Sequence, residues 1–119
     1  MKKKFKEIAK NVISAEIESL RKLKNNINYS FEKAVEALLN CKNGKVIISG
    51  IGKSGIIGKK ISSTLASVGI SSFFIDSAAC SHGDLGMISS GDVIILISHS
   101  GESAELKNII QYAKRNKNI

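Results

Sequence analysis

The chain has 119 residues, 43% of them apolar and 24% charged, which fits one globular domain and excludes a disordered or low-complexity segment. The formal charge of +8 comes from dispersed lysines in a chain with two Tyr and no Trp to stack bases, so it reads as a solvated basic surface, and nucleic acid is not an expected partner. Two distant cysteines (Cys41 and Cys80), no secretory pattern and no run near the ~20 apolar residues that span a bilayer predict free thiols, no membrane and a cytoplasmic location.

The first segment is amphipathic. Phe5, Ile8, Val12, Ile13, Ile17, Leu20 and Leu23 recur at helical spacing, and Asn25-Asn26-Ile27-Asn28 ends the pattern. A second helix is predicted from about Ser30, carrying Phe31, Ala34, Val35, Leu38 and Leu39 and stopping before the turn signal Asn43-Gly44. Residues 1–44 therefore read as a helical segment. From Lys45 the texture changes. Val46-Ile47-Ile48 is a short β-branched run bounded by glycines, the pattern of a strand buried on both faces of a parallel sheet. Gly50 to Gly55 is a glycine-rich turn, followed by a helical pattern through Ile56, Ile57, Ile61, Leu65 and Val68 to Gly69, a natural cap. Ser72–Ile75 is a second strand, Ala78–Met87 a loop with room for one helical turn, and Asp92–Ser98 a third strand. A serine-rich turn, Ser100 to Ser103, leads into a last helix from Ala104. The order α-α-β-α-β-β-α predicts an α/β fold with helices leading a doubly wound parallel sheet over 45–119, and ligands of such sheets sit at the carboxyl ends of the strands.

Both turns rich in glycine and serine follow strands, so both fall at that edge. Gly50-Ile51-Gly52-Lys53-Ser54-Gly55 is not a Walker loop, because Ile47 stands where that motif needs glycine. It does match G-x-G-x-x-G, and Asp76 follows the second strand where a dinucleotide fold places a ribose-binding carboxylate. The bland reading is a tight strand-to-helix turn. Ser98-His99-Ser100-Gly101-Glu102-Ser103 packs three hydroxyl groups and a carboxylate around a glycine just before a helix. Backbone N–H groups at a helix N-terminus joined by hydroxyls make a phosphate cradle, whereas a plain N-cap needs one serine. Two such turns on neighbouring strands suit one phosphate held between two loops better than a pyrophosphate. Between them lies Cys80-Ser81-His82-Gly83-Asp84-Leu85-Gly86-Met87. Cys80 and His82 are two metal-ligand types without a second pair, so no metal is expected.

Together the glycine turn, His82-Gly83-Asp84-Leu85-Gly86-Met87 and the serine turn resemble the SIS (sugar isomerase) domain of arabinose-5-phosphate isomerases, over essentially the whole chain and most densely from Val46 to Ser103. The resemblance implies interconversion of arabinose 5-phosphate and ribulose 5-phosphate without a cofactor. It implies that Gly52, Ser54, Ser98, Ser100 and Ser103 hold the phosphate. Lys53, His82 and Glu102 fall where the family places catalytic groups: Glu102 as proton carrier, His82 in ring opening or proton transfer, and Lys53 as electrostatic stabiliser. The chain departs from the pattern at Ser77, where proline is common, at Ala79, where glutamate is common, and at His99, where Asn or Gln is usual.

The resemblance also implies five strands, of which 45–119 carries three, and further catalytic Glu and His residues beyond Ile119. The expectation is therefore a truncated domain, an inactive fragment on its own or a non-catalytic phosphosugar-binding module. Its third strand would be an open edge that invites a sheet-completing partner chain or a homo-oligomer.

Overall fold

The computed structural model of the protein describes residues 2–80 and 83–119. Two helices, α1 (Lys2–Asn26) and α2 (Tyr29–Asn40), precede β1 (Val46–Gly50), α3 (Lys53–Ser67), β2 (Ser72–Phe74), the short α4 (Ser77–Cys80), a 3-10 turn over Asp84–Met87, β3 (Val93–Ile97) and α5 (Ala104–Asn116). The chain divides into two compact units between Val35 and Glu36. In the first unit α1 is one unbroken amphipathic helix, and the Asn28 side chain accepts the Ser30 N–H at 3.0 Å. Asn28, not Ser30, therefore caps α2.

The second unit is built on a three-stranded parallel sheet in the order β2-β1-β3. Val46 pairs with Ser72 on one side and Val93 on the other, so β1 is central and all five of its residues are buried. A β-branched strand that faces protein on both sides is what the Val46-Ile47-Ile48 run predicts. Alternation sends Ile47 to one face, where it joins Ile75, Cys80, Ile88, Leu106 and Ile109 in the apolar core beneath α4 and α5. Ile48 faces the other way, toward α3. There Gly58 brings the helix so close that a methyl group would sit 3.1 Å from Ile48 Cγ2 and 3.2 Å from the Phe74 ring.

The third strand stands at the sheet edge. Val93 N–H donates inward to Lys45 O (3.0 Å), whereas Ile94 N–H points outward and donates to Ile119 O (2.9 Å). Apart from the buried Val93, its residues are half-buried. At the amino ends of the strands the buried Asp92 carboxylate ties the turn before β3 to the residue before β1. It accepts the Lys45 N–H and the Ser89 N–H, each at 2.8 Å, and pairs with Lys45 Nζ at 3.1 Å. No described helix is long and apolar enough to cross a membrane.

Candidate functional site at the carboxyl edge of the sheet

The site follows from register. Gly50, the last residue of β1, is paired with Ile97, the last residue of β3, so the turns leaving these strands lie side by side. The first turn pivots on Gly52, whose φ of 59° and ψ of −127° suit glycine alone, and α3 begins at the next residue with no side chain capping it. Gly55 allows α3 to lie against the strand end, since a methyl group there would come within 2.7 Å of Gly50 O. The second turn pivots on Gly101 at φ 71°. Ser98 Oγ accepts the Gly101 N–H (2.9 Å) and Ser100 Oγ accepts the Glu102 N–H (3.2 Å), which fixes the loop from within. Ser103 occupies the N-cap of α5, but its hydroxyl makes no capping bond.

A cleft of about 240 Å³ opens between the two turns, lined by Ile51, Ser54, Ile97, Ser98, His99, Ser100 and Ser103. Ser54, Ser98, Ser100 and Ser103 are thus brought together from two helix N-termini. Each N-terminus presents N–H groups that have no partner within its helix and carries the positive end of the helix dipole. The combination favours an anion. Gly52 borders a second cleft of about 160 Å³, which shares Ile51 with the first and also takes in Lys59, Phe74, Asp76, Ser77 and Glu105.

The remaining expected residues fall in different places. Lys53 is exposed as the first residue of α3, and Glu102 is exposed in the serine turn; neither lines either cleft. His82 lies outside the described residues. His99 does line the cleft between the turns. Asp76 accepts the Ala78 N–H at 2.9 Å and so caps α4, an engagement that competes with the ribose contact a dinucleotide would require. Cys80 is buried. Burial first, then the nearby Asp84 and Asp76 carboxylates, raise its thiol pKa, which keeps it protonated and a poor nucleophile.

Two charged residues of the second cleft escaped the sequence reading. Glu105 is in the first turn of α5, a position whose ordinary role is to favour the helix dipole, and Lys59 read only as one of the dispersed lysines. No local signal separated Glu105 from Glu102, because which of them faces the sheet edge depends on the phase of α5, set by the burial of Leu106 and Ile109.

The SIS domain family matches residues 38–119. An arabinose 5-phosphate isomerase, KdsD of Salmonella typhi, is 47% identical over 111 residues, which is 93% of this chain and 34% of that protein. An uncharacterized protein of Rickettsia prowazekii is 47% identical over 108 residues, 91% of this chain and 34% of its own length. Among solved structures, an E. coli CFT073 protein in complex with arabinose 5-phosphate superposes with a TM-score of 0.85 at 38% identity, over 93% of this chain and 58% of that one. The chain therefore spans about a third of the length of the curated relatives it matches. The family match covers the sheet, both turns and the clefts between them, and the chain belongs to the SIS domain family.

Proposed function

We propose that this chain binds the phosphate of a phosphorylated sugar, with arabinose 5-phosphate as the ligand, and supplies part of an aldose–ketose isomerase site. One observation carries the reading: Ser54 from the first turn and Ser98, Ser100 and Ser103 from the second line a single cleft between two helix N-termini. A tetrahedral dianion there would accept hydrogen bonds from hydroxyls and N–H groups on two sides and would interact favourably with both helix dipoles. The E. coli complex with arabinose 5-phosphate and the KdsD relative support the choice of sugar phosphate.

Isomerisation requires the sugar ring to open. A base then takes the proton from C2, and an enediol forms while the carbonyl oxygen gains a proton. Return of a proton to C1, with loss of the proton from the C2 hydroxyl, leaves the carbonyl at C2. In this reading His82 assists ring opening, Glu102 carries the proton, and Lys53 stabilises charge developing on the enediol oxygen. Glu105, which lines the neighbouring cleft together with Asp76, is a second candidate proton carrier.

A second reading, phosphosugar binding without turnover by this chain, is favoured by the exposure of Lys53 and Glu102 away from both clefts. Calorimetric titration of the chain with arabinose 5-phosphate, alongside an assay for ribulose 5-phosphate formation, separates the two. Binding with turnover supports an isomerase site, and binding alone supports the module. The double variant Ser100→Ala/Ser103→Ala should lose binding in both cases. If that variant bound as well as the parent, or if a nicotinamide dinucleotide bound in place of the sugar phosphate, the phosphate assignment would be wrong.

A further inference from the structure

The cleft between the two turns holds one side chain to which the phosphosugar reading gives no part. Its lining is four serines, two isoleucines and His99, so among the described residues His99 is the only titratable group in it. All seven lie within the second compact unit.

A count of charge shows what His99 can do there. A phosphate monoester carries roughly −1.5 to −2 near neutral pH. Serine hydroxyls and backbone N–H groups donate hydrogen bonds to it but bring no net charge. Each helix N-terminus acts as roughly half a positive charge, so α3 and α5 together offset about one unit. Up to about one negative charge is left over. Lys53 does not supply the difference: it is exposed and outside the cleft, and Glu102 in the serine turn, also exposed and outside it, has the opposite sign. Asp76 and Glu105 line the neighbouring cleft, where Lys59 is the only cation among the described residues. The imidazole of His99 can fill the deficit, because it is the side chain that gains a positive charge between pH 5 and 8, and once charged it presents two N–H donors.

We infer that His99 is a phosphate ligand that meets the anion as imidazolium, so that sugar-phosphate binding by this chain takes up a proton. The inference rests on the phosphate assignment of the cleft and adds a charge state to it. The proton passes from solvent to the free ring nitrogen, and no bond to phosphorus changes. Affinity for a dianion should then rise as pH falls. A sugar phosphate blurs that trend by losing its own second charge at a pKa of roughly 6, whereas sulfate stays dianionic.

Titration calorimetry with arabinose 5-phosphate at pH 7, repeated in two buffers of different ionisation enthalpy, reads the proton directly. Wild type should take up a fraction of a proton, and its affinity for sulfate should rise about 10-fold from pH 8 to pH 6. His99→Gln, which keeps a neutral donor, should take up no proton. It should bind sulfate about 10-fold more weakly than wild type at pH 6 and within about 2-fold of it at pH 8. Because His99 is exposed, both His99→Gln and His99→Asn should melt within about 2 °C of wild type, so either serves. Binding without proton uptake overturns the inference and leaves the phosphate assignment standing. So does uptake that persists in the variants, which would put the proton on another group such as His82. A chain that melts cooperatively yet binds neither arabinose 5-phosphate nor sulfate removes the phosphate assignment and the inference with it.

Discussion

Asp92→Asn tests whether the buried carboxylate at the amino ends of the strands holds the sheet unit together. The side chain of Asp92 is 1% exposed, and that of Lys45 is 34% exposed. Oδ1 accepts the Lys45 N–H and Oδ2 accepts the Ser89 N–H, both at 2.8 Å. In the amide, one oxygen can still serve Lys45, but the NH2 group faces the Ser89 N–H, donor against donor. One charge-assisted bond is lost, one buried N–H loses its partner, and the pairing with Lys45 Nζ becomes neutral. The combined cost is about 2–3 kcal/mol, discounted for the part of the Lys45 head that remains in water. For a unit of this size each kcal/mol moves the midpoint by about 4–8 °C, so Asp92→Asn should melt roughly 10–20 °C lower near neutral pH.

The pH dependence gives a second readout with a fixed sign. Burial pushes the Asp92 pKa up, but the hydrogen bonds from Ser89 and Lys45 and the charge of Lys45 outweigh it, and the net shift is downward. A carboxyl group whose folded pKa lies below its unfolded value stabilises the fold above the unfolded value, and the contribution is lost as pH falls through the folded pKa. The gap in melting temperature between wild type and Asp92→Asn should therefore be full at pH 6 to 7 and shrink once the pH drops below about 4. A gap under roughly 2 °C at neutral pH, or one that does not narrow in acid, would refute the reasoning.

Gly55→Ala should cost about 1–3 kcal/mol and weaken arabinose 5-phosphate binding together, because its methyl group meets the Gly50 carbonyl at 2.7 Å and the turn must move; melting and titration calorimetry on one sample read both. Ser103→Ala should leave stability within about 0.5 kcal/mol, since its hydroxyl caps nothing, yet lower sugar-phosphate affinity roughly 10-fold. Ser98→Ala should differ by also costing about 0.5–1.5 kcal/mol of stability, measured by urea unfolding, because its hydroxyl accepts the Gly101 N–H. If turnover is found, Glu102→Gln and Glu105→Gln should lower kcat unequally, with the larger loss, about 100-fold or more, marking the proton carrier.

Legibility followed how local the cause was. Val46-Ile47-Ile48 announced a two-sided strand because burial on both faces leaves no place for a polar residue, and β1 is buried throughout. The glycines at 52 and 55 announced a turn because their constraints are local: the positive φ of Gly52 and the approach of Gly55 to the Gly50 carbonyl. By contrast α4 is four residues long, too short for any period, and Asp76, which caps it, read from sequence only as a candidate ribose ligand. The Lys45–Asp92 pair joins residues 47 apart and became visible only once the β1–β3 register brought Val46 beside Val93.

The candidate site divides along the same line. Its serines were legible because each turn follows its own strand, and a parallel sheet delivers successive turns to one edge whatever the details of packing. That argument locates Ser54, Ser98, Ser100 and Ser103 without any knowledge of how far α5 rotates, and the four do line one cleft. The carboxylate is different. Glu102 and Glu105 differ by three residues around the start of a helix, so which one faces the sheet edge depends on the phase of α5. The burial of Leu106 and Ile109 against Ile47 sets that phase. With those two side chains turned into the core, Glu105 comes beside Gly50, Gly52 and Asp76, while Glu102 remains in the loop. Which carboxylate lies at the sheet edge is thus set by apolar packing on the far side of the helix; if turnover is found, substitutions that rotate α5, such as at Leu106, should lower kcat more than phosphate binding.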